Sequence, residues 1–346
     1  MGIATAYLRP RIAGFNVIDC EVKNREVLYL LAREDYTQHR GWHDMNEPPP
    51  EGRLIKRVLG VRLQAPDANT WSAVNLKGMD MSCCALAATP EDKVAVVDIG
   101  SKAWVPKPSS TGFEPEILSR ADGGILRGAV TRARCFGGSL VIASTARQLF
   151  ERPGPGVWQL IGPPMEKAVG QTTGFEDFDR FGPEDWYAVG GSGDIWHFDG
   201  TAWSQCRFPS NWGLSAVCCA GDGHVYVAAG TALYRGRGND WERLGRPLAQ
   251  NIPLKDLVWY EDRLWATSDY GLWVLDGKGQ LVEAEVESCV RDCAGNLAVR
   301  DGVMLLAGYG GAAYRQGGRW TELFSDGDVR AWFEHHRDEV WTPPAR

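Results

Sequence analysis

The chain has 346 residues, 44 % of them hydrophobic, and a formal net charge of -7. That balance supplies a sizeable core and argues against a nucleic-acid binder, which needs a basic footprint to neutralise phosphates. No apolar run is long enough to cross a bilayer, and Met1 to Pro10 lacks the charged start and long apolar stretch of a secretory signal, so a cytoplasmic protein without membrane contact is expected.

Taken in chain order, the sequence is a series of short alternating apolar runs bounded by Gly, Asp, Asn and Pro, which is the signature of strands and tight turns. Ala4 to Arg9 reads as one such strand, and the first hairpin centres on Lys23-Asn24. An insertion from Tyr36 to Arg53 follows, between the second and third strands of the first unit, and carries three consecutive prolines, Pro48 to Pro50. Further hairpins centre on Pro90-Glu91-Asp92, Gly137-Gly138, Gly182-Pro183, Gly221-Asp222, Glu261-Asp262 and Asp301-Gly302. An eighth is expected at His335 to Asp338, between Val329 to Phe333 and Glu339 to Thr342.

A phrase recurs through these units at a spacing of about 38 to 45 residues, which marks one supersecondary unit copied many times. Its clearest copy runs Asp185-Trp186-Tyr187-Ala188-Val189-Gly190, then Asp194-Ile195-Trp196-His197-Phe198-Asp199-Gly200, then Trp203. The following copy parses into four strands, Leu214 to Cys219, Val225 to Ala229, Ala232 to Arg235 and Trp241 to Leu244. One four-stranded meander cannot bury both faces; stacking sheets radially does. The expected fold is therefore all-β: a single β-propeller domain over 1–346, of four-stranded antiparallel blades. Eight blades are favoured over seven, with the ring closed by N- and C-terminal strands.

The nine cysteines include no CxxC pair, so they read as reduced, mostly buried thiols rather than as a zinc or redox site. Alignment of the repeats puts Cys20, Cys135 and Cys219 on the innermost strands, level with Arg180 and Trp259, where a compact apolar side chain packs well. His39 and His43 share the insertion, and His335-His336 is expected in a strand turn; neither gives the three convergent ligands a metal needs. Gly-x-Ser-x-Gly and phosphate-loop motifs are missing, and Gly190-Gly191-Ser192-Gly193 is followed by a strand rather than a helix. No cofactor and no catalytic residue is expected.

At these residues the chain resembles bacterial β-propellers built from blades of the type Trp-x-Ala-Val-Gly followed by Ile-x-x-Phe-Asp-Gly-x-x-Trp. Residues 172 to 326 carry the resemblance most clearly, within the broad sialidase-like and kelch-like class. The Asp-box of its enzymatic members is present only as fragments, Phe198-Asp199-Gly200-Thr201-Ala202-Trp203 and Ser268-Asp269-Tyr270-Gly271. Some propellers of this type resemble immunity proteins, which neutralise secreted antibacterial toxins. The resemblance thus implies a protein-binding role.

Two stretches stand out as binding surfaces. Within the insertion, Arg40, Trp42, His43, Asp44 and Met45 combine residue types enriched at interface hot spots, and the prolines lower the cost of ordering them. Glu176, Asp177 and Asp179 open the fourth unit and could form one side of an acidic patch that steers a basic partner. Glu283, Glu285 and Glu287 alternate on an expected outer strand. The reading is a non-catalytic, monomeric propeller that occludes a toxin with a basic surface. The alternatives are a hydrolase or lyase acting on a carbohydrate in the central funnel, and a scaffold subunit of a larger assembly.

Overall fold

The computed structural model describes residues 5–38, 48–66, 69–106, 115–118, 126–163, 174–245 and 252–340. They form seven four-stranded antiparallel sheets, each a sequential meander, and the protein is a seven-bladed β-propeller. The blades span 15–76, 82–117, 130–160, 175–205, 214–243, 256–283 and 296–325. Chain contacts group residues 83–285, with the second to sixth blades, into one compact unit, and residues 1–82 with 286–346 into another. No helix among the described residues is long and apolar enough to cross a membrane.

The first hairpins form where the turn chemistry places them. Glu261-Asp262, Asp301-Gly302 and Gly137-Gly138 each hold two successive residues at positive φ, the backbone that a tight hairpin between right-twisted strands requires. Between the turns, second strands such as Val225–Ala229 and Val303–Gly308 are buried along their whole length. A strand covered on both faces needs apolar residues at every position rather than at alternate ones. The covers are layers of apolar side chains between neighbouring sheets: Val141, Leu149, Phe175 and Trp186 join the third and fourth blades, and Cys218, Tyr226, Leu257 and Trp273 join the fifth and sixth. All nine cysteines are free.

The eighth blade is not formed. Asp326–Val340, where its first hairpin was expected, is an α-helix (α3 below) with Asp326 and Asp328 in its first turn, where carboxylates complement the helix dipole. Val329 and Phe333, four residues apart, fall on one buried face, so the apolar spacing is helical. His335 and His336 lie on this helix rather than in a turn, and the His336 ring stacks on Trp332 at 4.4 Å.

The expected closing strand is likewise a helix, Thr5–Ile12 (α1 below). Its Leu8 and Ile12 join Val329 and Phe333 in one apolar cluster with the first and last blades. The seventh blade thus draws all four strands from 296–325, and the first blade docks on it through side chains. Cys20 Sγ lies 3.7 Å from the Asn296 carbonyl, Asn296 Nδ2 donates to the Ile18 carbonyl at 3.0 Å, and Arg25 Nε donates to the Asp301 carbonyl at 3.0 Å.

Candidate functional site

The first strands of the third, fourth and sixth blades bring charged side chains into one cluster. Arg132 and Arg134 come from the first strand of the third blade, Asp177 and Asp179 from that of the fourth, and Asp256 from that of the sixth. Asp177 is 1 % exposed and takes Arg134 Nε at 3.1 Å, Arg134 Nη2 at 2.9 Å and Arg132 Nε at 3.2 Å. The amide of Val217 adds a fourth donor at 2.9 Å. Arg132 also binds Asp256 through Nη2, which ties two blades that are not neighbours and is possible only because their first strands face one centre.

This cluster sets its own ionisation. Burial alone would raise the Asp177 carboxyl, but the guanidiniums of Arg134 and Arg132 outweigh it and hold the group below its ordinary value. Asp179 accepts the amides of Cys219 and Arg180, each at 2.8 Å, yet lost solvation outweighs these bonds and the Arg134 charge and pushes it up to about 6. Arg180 itself sits over Phe136 and Trp186, 4.7 Å from each ring centre, feels the Asp179 charge, and among the described residues forms no ion pair within hydrogen-bonding reach of this cluster.

Above the arginines a cleft of about 630 Å³ opens among the third to sixth blades. The links between blades and the turns joining second to third strands lie at one end of each meander, and the cleft is built from that end. Gly213 and Ile252 to Lys255 come from the links into the fifth and sixth blades, with Leu214 and Ser215 at the start of the fifth blade's first strand. Gly191, Asp269 and Tyr270 come from second turns, with Ser268 at the end of the sixth blade's second strand. Thr131, Arg132 and Glu176 form the start of two first strands. Lys255 Nζ is held by Asp269 Oδ1 at 2.7 Å.

Two large aromatic side chains lie exposed, one in the cleft lining and one next to it in sequence. Tyr270, in its lining, is 79 % exposed, and Trp212, next to Gly213 of the lining, is 56 % exposed. Trp212 is placed by glycine: Gly230 has φ +56°, and a Cβ there would stand 2.3 Å from the indole ring. The Trp212 carbonyl accepts the amide of Gly193 at 2.8 Å. Exposed Trp and Tyr in fixed positions are the side chains that anchor protein interfaces.

Of the residues singled out in the sequence, Glu176 lines this cleft, while Asp177 lies beneath it among the arginines. Asp179 is half-buried in the same cluster. Arg40, Trp42, His43, Asp44 and Met45 lie outside the described residues. The insertion does fall between the second and third strands of the first blade, and its return arm is anchored: Lys56, fully buried, donates to the carbonyls of Glu51, Leu54 and Met79 at 2.8, 3.2 and 3.1 Å. Of the three alternating glutamates, Glu283 alone lies in a strand. No group of three or more metal-ligating side chains that could hold a metal ion is found among the described residues.

Sequence reasoning missed Trp212, Tyr270, Arg132, Lys255 and Asp269. The two aromatics carry a usable signal: each precedes a glycine in a connection, outside the alternating runs that mark packed tryptophans and tyrosines.

The chain is 31 % identical over 201 residues to the immune protein Tsi7 of Pseudomonas aeruginosa. It is similar to an immune protein. The match takes in 57 % of this chain, which spans 65 % of that relative's length. No family model matches. Among solved structures the chain is similar to virginiamycin B lyase from Staphylococcus aureus, at TM-score 0.59 and 10 % identity, covering 86 % of this chain and 92 % of that one. The WD40 β-propeller domain of Doa1 gives TM-score 0.59 at 10 % identity, covering 86 % and 91 %. YCF48 bound to a D1 peptide gives 0.54 at 16 %, covering 77 % and 87 %. At these identities the likeness is one of fold, since one fold hosts unrelated functions.

Proposed function

We propose that this propeller is a cytoplasmic, non-catalytic immunity protein that binds a protein toxin through the face carrying the links between blades. The observation that carries the reading is the 31 % identity over 201 residues with the immune protein Tsi7. The cleft supports it physically. Trp212 is an anchor seated against Gly230, and Tyr270 stands exposed in the cleft lining. The Arg–Asp cluster beneath sets Asp177, Asp179 and Asp256 against Arg132 and Arg134, which leaves an excess of carboxylates. Glu176 contacts the partner at the cleft, and Arg40, Trp42, His43, Asp44 and Met45 of the insertion contribute a second contact. Asp177 and Asp179 act through their field rather than by touch, and the acidic balance of the chain speeds encounter with a basic toxin.

Co-expression with the toxin-like product of a neighbouring gene tests this. The pair is expected to co-purify as a one-to-one complex, and this chain is expected to restore growth of cells making the toxin. A chain that neither captures the neighbouring product nor protects against it overturns the reading.

A further inference from the structure

Resting on that reading, we infer that the cleft among the third to sixth blades is a socket for one cationic side chain, lysine or arginine, projecting from the partner protein. The cations around the cleft are already matched. Arg132 is held by Asp177 and Asp256, Arg134 by Asp177, and Lys255 by Asp269. Set against these three cations are five carboxylates, Glu176, Asp177, Asp179, Asp256 and Asp269. The excess negative charge surfaces at Glu176. Among the described residues no hydrogen bond or ion pair reaches its carboxylate, which partial burial and the neighbouring Asp177 charge push above the ordinary range. An arriving cation relieves both burdens; an anion meets them.

The rest of the lining selects for shape. Leu214, Ile252, Pro253 and Leu254 offer an apolar wall, and the Tyr270 ring stands exposed at the mouth. A side chain with a methylene stem and a charged head satisfies wall and carboxylate together, with the ring face adding attraction for the cation. The volume of about 630 Å³ lies in the range of ligand pockets and admits such a side chain with its flanking backbone.

The test uses the whole chain with tyrosine rings labelled by ¹³C, Tyr270 assigned by Tyr270→Phe, and the blocked tripeptides acetyl-Gly-Arg-Gly-amide, its lysine and glutamate counterparts, and its uncharged citrulline counterpart. The arginine and lysine peptides are expected to shift the Tyr270 signal saturably, and the glutamate and citrulline peptides to leave it in place. Glu176→Gln, at an exposed position that leaves the fold intact, is expected to weaken the arginine peptide about tenfold, and Tyr270→Ala to weaken it when followed by calorimetry. No shift with either cationic peptide, equal binding of the citrulline peptide, or full affinity in Glu176→Gln overturns the assignment. Toxin capture with no peptide binding defeats the socket alone; peptide binding with no toxin captured defeats the immunity reading alone.

Discussion

The guanidinium of Arg147 meets the carboxylate of Asp194 across the boundary of the third and fourth blades in two parallel hydrogen bonds, Nε to Oδ2 at 2.6 Å and Nη2 to Oδ1 at 3.0 Å. Both residues are buried, and Asp194 Oδ1 also takes Trp196 Nε1 at 2.9 Å and Gln205 Nε2 at 3.1 Å. Removing the arginine strands a buried carboxylate. Arg147→Ala is therefore expected to cost about 3–5 kcal/mol, read from the urea midpoint. Arg147→Lys is expected to recover part of it, since an ammonium keeps the charge but loses the fork. An unchanged midpoint in Arg147→Ala would count against the staple.

Asp179 gives stability a pH dependence whose sign follows from its raised pKa of about 6 against an ordinary 3.8. Between those values the folded chain keeps a proton that the unfolded chain has released. Its contribution is complete below the unfolded value and is lost as pH rises through the folded one. In Asp179→Asn that titration is gone, so the difference in Tm, variant minus parent, is expected to grow more positive from pH 4 to pH 7, by about 2 °C or more. Thermal scans across that range check it, and a flat or falling difference would refute it.

Gly230→Ala is expected to disturb partner binding without touching a partner. The added methyl meets the Trp212 indole at 2.3 Å, and the position has φ +56°. Strain of about 1 kcal/mol is expected from the backbone, with Trp212 swung off its seat. Affinity for a captured toxin should fall about as far in Gly230→Ala as in Trp212→Ala, measured by calorimetry. A loss in Trp212→Ala alone would mean that the indole needs no seat.

The buried ammonium of Lys56 pins the return arm of the insertion. Its pKa is lowered by burial, against the raising effect of Glu51, whose Oε1 lies 3.0 Å away. Lys56→Met fits the space but donates nothing to the carbonyls of Glu51, Leu54 and Met79. Limited trypsin digestion is expected to cut after Arg53 about tenfold faster in this variant, because local opening governs such cleavage. Equal rates would place the anchor elsewhere.

The blades were legible because sheet stacking leaves a strong trace in sequence. The expected strands Leu214 to Cys219 and Val225 to Ala229 match the observed Leu214–Cys219 and Val225–Ala229 to the residue. The count failed at both ends for one reason: a helix packed on a sheet also shows clustered apolar residues. Val329 to Phe333 read as a strand, although Val329 and Phe333 stand at helical spacing, and Ala4 to Arg9 read as a strand where helix α1 stands. The site was legible only in part. A break in the repeat reveals an insertion, and Glu176 is visible as an acid, but the cleft joins residues from 131 to 270. Only the radial stacking of four blades brings them together. Trp212 was one among 15 tryptophans, and its exposure depends on Gly230, 18 positions later by the same numbering.

Because the described residues exchange no strand between the first and last blades, these blades meet through side chains that lie 276 positions apart. During synthesis at about 5–20 residues per second, Cys20 therefore waits roughly 15 to 55 s for Asn296 to follow it from the ribosome. Through that interval one apolar face of the first sheet, with Val17, Cys20 and Val22 on its first strand, has no lasting cover. Over that interval this face of the first blade is open to chaperones and to self-association.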